Sequence, residues 1–332
     1  MEYRYMGKAN VKVSTICLGT MHFGGRTDEK EAFRIMDRAV EIGINFFDTA
    51  NVYGGAGRTE EIIGRWFQQG GGRRDRVVLA TKVYGQMVRE EPVPPNEERG
   101  LSLYKVKKHV EGSLRRLQTD HIDLYQVHHI DRHISPEEFW TIFDTLVTDG
   151  KVLYTGTSNF PGWGLAKFQM AAEKRGSLGI VSEQAQYNLL SRYPELEVIP
   201  AAQEFGIGIM VYMPLAGGLL TGKTKREPGS RTQAVADEYG IGARMDDLLR
   251  EFSQLCRDLG EPEHVVALAW TLATPGVYSA IVGARTAEHL DGLERASELQ
   301  LPNEVVQRLN DLFHIRYSRP LKAGPAPEAF AW

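Results

Sequence analysis

The feature that most constrains this chain is a repeating alternation. From residue 16 onward, a short apolar run is followed by a polar or glycine-containing loop and then by an amphipathic stretch of helical length. The runs are Ile16–Leu18, Asn45–Phe47, Val77–Thr81, Ile122–Val127, Val152–Gly156, Ile180–Ser182, Ile207–Tyr212 and Tyr278–Val282. Eight strand-helix units is the count that closes a parallel sheet into a barrel, because each right-handed crossover lays the next strand beside the last. The same spacing also fits a doubly wound open sheet, so periodicity alone leaves two α/β architectures standing. Local signals agree with the alternation. Ala32, Phe33, Ile35, Met36, Ala39 and Val40 share one helical face, Asp28 with Glu31 predicts a capping box before it, and Gly43 is placed to end it. Pro136 sits where the first turn of a helix running to Val147 tolerates a missing N–H. Further helices are expected at Glu60–Phe67 and Val106–Leu117. Ahead of the repeat, Tyr3–Met6 and Val11–Val13 flank a Gly7–Asn10 turn and read as a hairpin.

A length of 332 residues would suit two average domains, but barrels use such a length for one. The expectation is a single domain over residues 1–332, with the hairpin at 3–13, the barrel from about 15 to 315 and a tail at 318–332. Three segments exceed what barrel connections need: Tyr84–Gly100, Leu215–Arg244 and Ser318–Trp332. The first two follow the third and seventh strands, so a barrel puts both on the face bearing the carboxyl ends of the strands. A net charge of −4 offers no basis for a nucleic-acid or anionic-membrane partner. Cys17 and Cys256 lie far apart in apolar segments and read as buried thiols of a reducing compartment. With no secretory apolar region at the start and no apolar run approaching the roughly 18 residues of a membrane span, a cytoplasmic location is expected.

Four titratable residues fall at the carboxyl ends of three neighbouring strands. Asp48 closes Phe46-Phe47-Asp48, Tyr53 follows in a loop with Gly54, Gly55 and Gly57, Lys82 ends Ala80-Thr81-Lys82, and His128 ends Gln126-Val127-His128. Each alone has an ordinary reading as a turn, surface or structural residue; their joint placement brings them to one pocket. An ammonium beside a phenol favours the phenolate and lowers its pKa, so Lys82, held by Asp48, is expected to assist Tyr53 as a proton donor. His128 is expected to bond and orient a carbonyl oxygen.

These segments resemble the aldo-keto reductases, and the resemblance runs from Tyr3 to at least Leu299. Gly43-Ile44-Asn45-Phe46-Phe47-Asp48-Thr49-Ala50 through Tyr53-Gly54, and Ala80-Thr81-Lys82, are similar to the family's signature segments. The resemblance implies a (β/α)8 barrel, a catalytic tetrad of Asp48, Tyr53, Lys82 and His128, NADPH as the cofactor and a small carbonyl compound as the substrate. It further implies a nicotinamide site from Thr20, Ser158, Asn159, Gln184 and Tyr212, and a pyrophosphate loop through Leu215, Gly217, Leu219 and Lys223. Gly283, Arg285 and His289 complete the set, with Arg285 as the cation for a 2′-phosphate. No metal is implied, and a homo-oligomer is compatible with the reading.

The chain also departs from the family. His289 and Leu293 stand where relatives commonly carry glutamine and asparagine against the adenine, Met213 replaces a frequent serine, and Gly217 a frequent arginine. No G-x-G-x-x-G follows an early strand, which disfavours a Rossmann dehydrogenase. Two other classes compete. One is a cofactor-sensing subunit, since potassium-channel β-subunits resemble the family too. The other is a metal-dependent hydrolase using His22, His128, His129 and Asp48, against which Met21-His22-Phe23 lacks the His-x-His that such barrels often carry on strand one. The segments Arg73-Arg74, His128-His129-Ile130-Asp131-Arg132 and the ending Pro327–Trp332 resemble actinobacterial members, some of which reduce nucleotide-linked keto- or enoyl-deoxysugars. His22, Tyr84 and His129 would line such a pocket, and Arg132, Arg226, Arg231, Arg316 and Arg319 are candidate cations for a diphosphate.

Overall fold

A computed structural model of the chain describes residues 1–88, 92–222, 231–239 and 243–315. Two short strands, β1 (Tyr3–Tyr5) and β2 (Lys12–Ser14), pair antiparallel with Tyr3 opposite Ser14. Eight more follow: β3 (Ile16–Gly19), β4 (Phe46–Asp48), β5 (Val78–Val83), β6 (Ile122–Val127), β7 (Val152–Ser158), β8 (Ile180–Gln186), β9 (Gly208–Tyr212) and β10 (Val277–Gly283). Each pairs in parallel with its successor, and β10 returns to β3 with Gly283 opposite Gly19. That last pairing decides between the two architectures the alternation allowed. The fold is a (β/α)8 barrel with an N-terminal hairpin.

Side chains two apart on a strand share a face, and this stacks the barrel interior in layers. Cys17, Phe46, Ala80, Leu124, Val181, Met210, Tyr278 and Ile281 form one apolar cluster with Met6, Ala9 and Val13 of the hairpin region. A larger cluster fills the space between the strands and the surrounding helices. Two residues toward the carboxyl end from Phe46, Ala80 and Leu124 stand Asp48, Lys82 and Gln126. The layer above the apolar floor is therefore polar, and it faces the open end of the barrel.

The helices obey local chemistry with two corrections. Asp28 accepts from the Glu31 N–H at 2.9 Å and caps the helix Glu29–Glu41, but the reciprocal half of the box is not made. Glu31 instead accepts from the Ala287 N–H at 2.8 Å and pairs with Arg34 at 2.6 Å, a tertiary use that a local motif cannot reveal. Ser135 caps the helix Pro136–Thr148, with the proline in its first turn. The helices Arg58–Phe67 and Leu103–Leu117 begin two and three residues earlier than their apolar periodicity indicates. In the second case the reason is plain: Leu103 and Tyr104 are exposed, and a buried-face pattern cannot register them.

The segment Leu215–Arg244, expected as a loop, carries the helix Arg231–Tyr239 and the start of the helix Ala243–Leu259. Tyr239 is buried and its hydroxyl accepts from Asn188 Nδ2 at 3.2 Å, which anchors the first of these against the barrel. The tail 318–332 lies outside the described residues. No helix among the described residues is long and apolar enough to cross a membrane.

The hairpin closes the end of the barrel opposite the polar layer. Gly7 turns with φ +55° at the starts of β8 and β9, where an added Cβ would lie 2.3 Å from the Val181 carbonyl oxygen and 2.5 Å from the Gly208 nitrogen. Both neighbours are backbone, so neither can move aside cheaply. We expect Gly7→Ala to destabilise the protein by about 2–4 kcal/mol, combining a left-handed backbone with overpacking. Gly150, also left-handed but with nothing near its missing Cβ, should cost roughly 1–2 kcal/mol when changed to alanine. Urea unfolding of the two variants checks this; equal losses would mean that the hairpin turn is not a plug.

Candidate active site

The polar layer is built by strand register. Lys82 on β5 lies opposite Gln126 on β6, while Asp48 on β4 lies opposite Ala80. Lys82 is fully buried, and all three of its N–H bonds are used. Nζ donates to Asp48 Oδ1 at 2.5 Å, to the Thr49 carbonyl at 2.9 Å and to Tyr53 Oη at 3.3 Å. The other carboxylate oxygen, Asp48 Oδ2, accepts from Gln126 Nε2 at 3.0 Å and from Gln184 Nε2 at 2.9 Å. A buried ion pair survives only when its remaining donors and acceptors are satisfied in this way.

Tyr53 reaches Lys82 because the chain turns sharply after β4. Gly54 has φ +66°, and a Cβ there would come within 2.8 Å of Thr59 Oγ1 and 3.0 Å of the Thr59 nitrogen, so the glycine is a requirement of the turn. The Tyr53 ring stands edge-on to His128, centroids 5.9 Å apart, and His128 stacks on His129 at 5.0 Å. His129 in turn meets Tyr84 at 5.3 Å. The four expected catalytic residues are thus together, with an aromatic wall beside them.

The electrostatics differ from the simple expectation for Tyr53. Burial pushes its phenol above the ordinary 10.0, and although Lys82 opposes this, Asp48 adds to the rise and the net direction is upward. The hydroxyl is therefore a neutral donor throughout the physiological range. For Lys82, burial pulls downward, but Asp48 and Tyr53 together outweigh it and the ammonium is retained. Burial, then Lys82 and His129, hold His128 well below the usual imidazole range, and burial brings His129 down to about 4. Both imidazoles are neutral near pH 7 and can donate a single N–H each.

The residues expected around a cofactor fall into three groups. Thr20, Ser158, Asn159, Gln184 and Tyr212 ring the layer but are knit to the protein. Thr20 Oγ1 donates to the Asp48 carbonyl at 2.9 Å, Ser158 Oγ to the Gln184 carbonyl at 2.9 Å, and Tyr212 Oη to Asn159 Oδ1 at 2.9 Å. Asn159 Nδ2 donates to the His128 carbonyl at 3.1 Å, so one asparagine fixes the backbone of one aromatic residue and the hydroxyl of another. The amide nitrogen of Gln184 is spent on Asp48 and Gln126, which leaves its Oε1 as the atom to meet a ligand.

Leu215, Gly217 and Leu219 follow β9 around a short 3-10 turn, Ala216–Gly218, with Leu219 buried. Lys223 lies outside the described residues. Gly283, the last residue of β10, is exposed, as are Arg285 and His289 beyond it. Only a four-residue 3-10 turn, Ala287–Leu290, follows there, and two backbone amides near it are already taken: Arg285 N–H by His289 Nδ1 at 3.2 Å and Ala287 N–H by Glu31. Arg285 itself makes no ion pair among the described residues, so its charge is what this turn offers an anion. Leu293 is 1% exposed and packs into the core.

Two residues of the site were not singled out from the sequence. Gln126 was within reach of the period-two rule, since Leu124, Gln126 and His128 share one face of the strand. Glu183 had no such signal. Its carboxyl is buried behind the sheet, accepts from Thr157 Oγ1 at 2.5 Å and the Phe160 N–H at 3.0 Å, and burial raises its pKa to about 8. It braces the turn in which Asn159 sits at φ +57°. Of the six non-glycine residues with positive φ among those described, Ala56, Asn159, Met213 and Ala216 follow β4, β7 and β9 at the open end, so backbone strain collects around the site. No three His, Cys, Asp or Glu side chains among the described residues are grouped so as to hold a metal ion.

Comparison with known proteins agrees with this geometry. The family model described as "Aldo/keto reductase family" matches residues 15–313. The chain is 53% identical to the uncharacterized oxidoreductase YrpG of Bacillus subtilis over the whole of both chains. It is 33% identical to the aldo-keto reductase AMT2 of Alternaria alternata, covering 97% of this chain and 92% of that one. It is also 31% identical to a probable voltage-gated potassium channel subunit beta of Arabidopsis thaliana, over 99% of this chain and all of the other. With the family match spanning the barrel, the chain belongs to the aldo/keto reductase family.

Proposed function

We propose that this protein reduces an aldehyde or ketone, taking hydride from NADPH and a proton from Tyr53. The observation that carries the reading is the bond from Lys82 to Tyr53 Oη. Because the phenol oxygen accepts from the ammonium, its own proton is free to be donated outward. As that proton leaves, the buried charge of Lys82 stabilises the phenolate at once, without solvent having to reorganise. Asp48, held by two glutamine amides, keeps Lys82 charged and aimed. Neutral His128 supplies its single N–H as a second donor to bond the carbonyl oxygen and fix which atom Tyr53 meets.

The residues present fit a nicotinamide cofactor, which when bound supplies the hydride. Tyr212 is locked through its hydroxyl and offers a fixed ring at the end of β9, Gln184 keeps an amide oxygen, and Arg285, near the end of β10, keeps a charge that is unpaired among the described residues. Support for NADPH over NADH rests on Arg285, the charge complement of a 2′-phosphate. A nucleotide-linked sugar is the finer substrate reading. His129 and Tyr84 give the wall polar and aromatic character, but Arg226, Arg316 and Arg319, which would meet a diphosphate, lie outside the described residues.

Tyr53→Phe is expected to lower kcat/KM for carbonyl reduction by at least about 10²-fold while leaving NADPH binding, read by quenching of protein fluorescence, unchanged. Near-normal turnover with cofactor bound would remove Tyr53 as the donor. Arg285→Ala is expected to weaken NADPH by about ten- to a hundred-fold and leave NADH nearly unchanged, the value of one charge-assisted contact. Equal losses for the two cofactors would make Arg285 a support of the loop and not a reader of the phosphate.

A further inference from the structure

A buried cluster behind the Tyr53 turn takes no part in the reaction as written. Asn51, two residues before Tyr53, is fully buried, and its backbone N–H donates to the Lys82 carbonyl at 3.2 Å. Its side-chain Nδ2 lies 3.1 Å from Nδ1 of His109, on the helix Leu103–Leu117. On the far side of that ring, Nε2 lies 3.3 Å from Glu97 Oε2. Glu97 comes from the long segment after β5, and its other oxygen pairs with Lys108. Lys105, on the same helix, donates to the carbonyls of Tyr84 and Glu98, and the Gly100 N–H also bonds Tyr84 O at 3.1 Å, so the base of that segment is stitched shut.

Elementary chemistry fixes the state of His109. A carboxylate only accepts, so Nε2 must carry the hydrogen toward Glu97. Nδ1 is then a lone pair, which is what an amide N–H of Asn51 needs. The groups facing the ring are Glu97 from the loop and Lys105 and Lys108 from its own helix. Burial lowers the imidazole's pKa, and this together with the two lysines prevails over the pull of Glu97, so the ring is neutral. Among the described residues Asn51 Oδ1 is buried without a hydrogen-bond partner, so of these it is His109 that orients that side chain.

We propose that His109 is a positioning residue for the proton donor. As a single neutral tautomer it joins Glu97 to Asn51, and through Asn51 it sets the path of the chain between Asp48 and Tyr53. The consequence is that Tyr53 Oη stays within reach of Lys82. The proposal rests on the reading of Tyr53 as the donor.

His109→Leu is expected to lower kcat by at least about ten-fold, because small displacements of a reacting group are costly, while KM and NADPH affinity hold. His109→Gln offers one acceptor and one donor with no titration and is expected to recover most of the loss. In a Tyr53→Phe background His109→Leu should cost nothing further, since coupled residues are not additive. In the unsubstituted protein, nitrogen NMR should show His109 protonated at Nε2 and bare at Nδ1, a readout that needs neither activity nor a variant that folds. An Nδ1–H tautomer, a normal kcat in His109→Leu, or equal losses in the leucine and glutamine variants would overturn the proposal. An active Tyr53→Phe would instead remove the donor reading, and this one with it; an inactive Tyr53→Phe beside a normal His109→Leu would remove only the positioning.

Discussion

The site depends on one contact, the buried pair of Lys82 and Asp48. Taking an ammonium and a carboxylate out of water costs several kcal/mol per ion, and their attraction offsets this only when every other bonding direction is filled. Here it is. Lys82 places its three N–H bonds on Asp48, the Thr49 carbonyl and Tyr53, while Gln126 and Gln184 share the second oxygen of Asp48. Such a pair adds little to stability against an apolar replacement, but it leaves a permanent positive charge inside the barrel, one bond from a phenol. Removing Asp48 alone would strand that charge at a cost of about 3–5 kcal/mol. In the proposed reaction the pair serves the chemistry and not the folding.

The barrel makes the pair possible by separating two tasks. The apolar floor of Phe46, Ala80, Leu124 and Met210, closed from below by the hairpin, excludes water from beneath the polar layer. Asp48, Lys82 and Gln126 each stand two positions further along the chain from a residue of that floor, so their placement is inherited from rigid parallel pairing. The strain that this geometry leaves is taken up where the strands end. Asn159 with positive φ is held by Glu183 below and bonds His128 and Tyr212 above, and Gly54 lets Tyr53 fold back over Lys82. A buried carboxyl with its pKa raised to about 8 is a natural brace for such a turn, because in its neutral form it carries no charge that water would have to solvate.

Much of this was legible in the sequence, and what was not has identifiable causes. The eight strands and the gathering of Asp48, Tyr53, Lys82 and His128 follow from the alternation and from the carboxyl-end rule. Gln126 was overlooked although the same periodicity carries it. Glu183 and the tertiary bond of Glu31 could not be read, because a side chain's choice between a local and a distant amide depends on what the fold brings near. The direction of the Tyr53 shift was misjudged for a related reason: a sequence shows that a lysine is close, but not how much water the same fold removes. The helix Arg231–Tyr239 was hidden by a segment whose anchoring residue, Tyr239, packs on partners from another unit of the barrel.

The buried charge of Lys82 offsets part of the rise that burial imposes on the Tyr53 phenol. The most direct measurement is the phenolate titration of Tyr53, taken as the absorbance of the intact protein minus that of Tyr53→Phe, with Lys82 present and with Lys82→Met. The midpoint is expected above the ordinary 10.0 in the parent, and at still higher pH once Lys82 is gone. A midpoint well below 10.0 in the parent, or the same midpoint with and without Lys82, would contradict this.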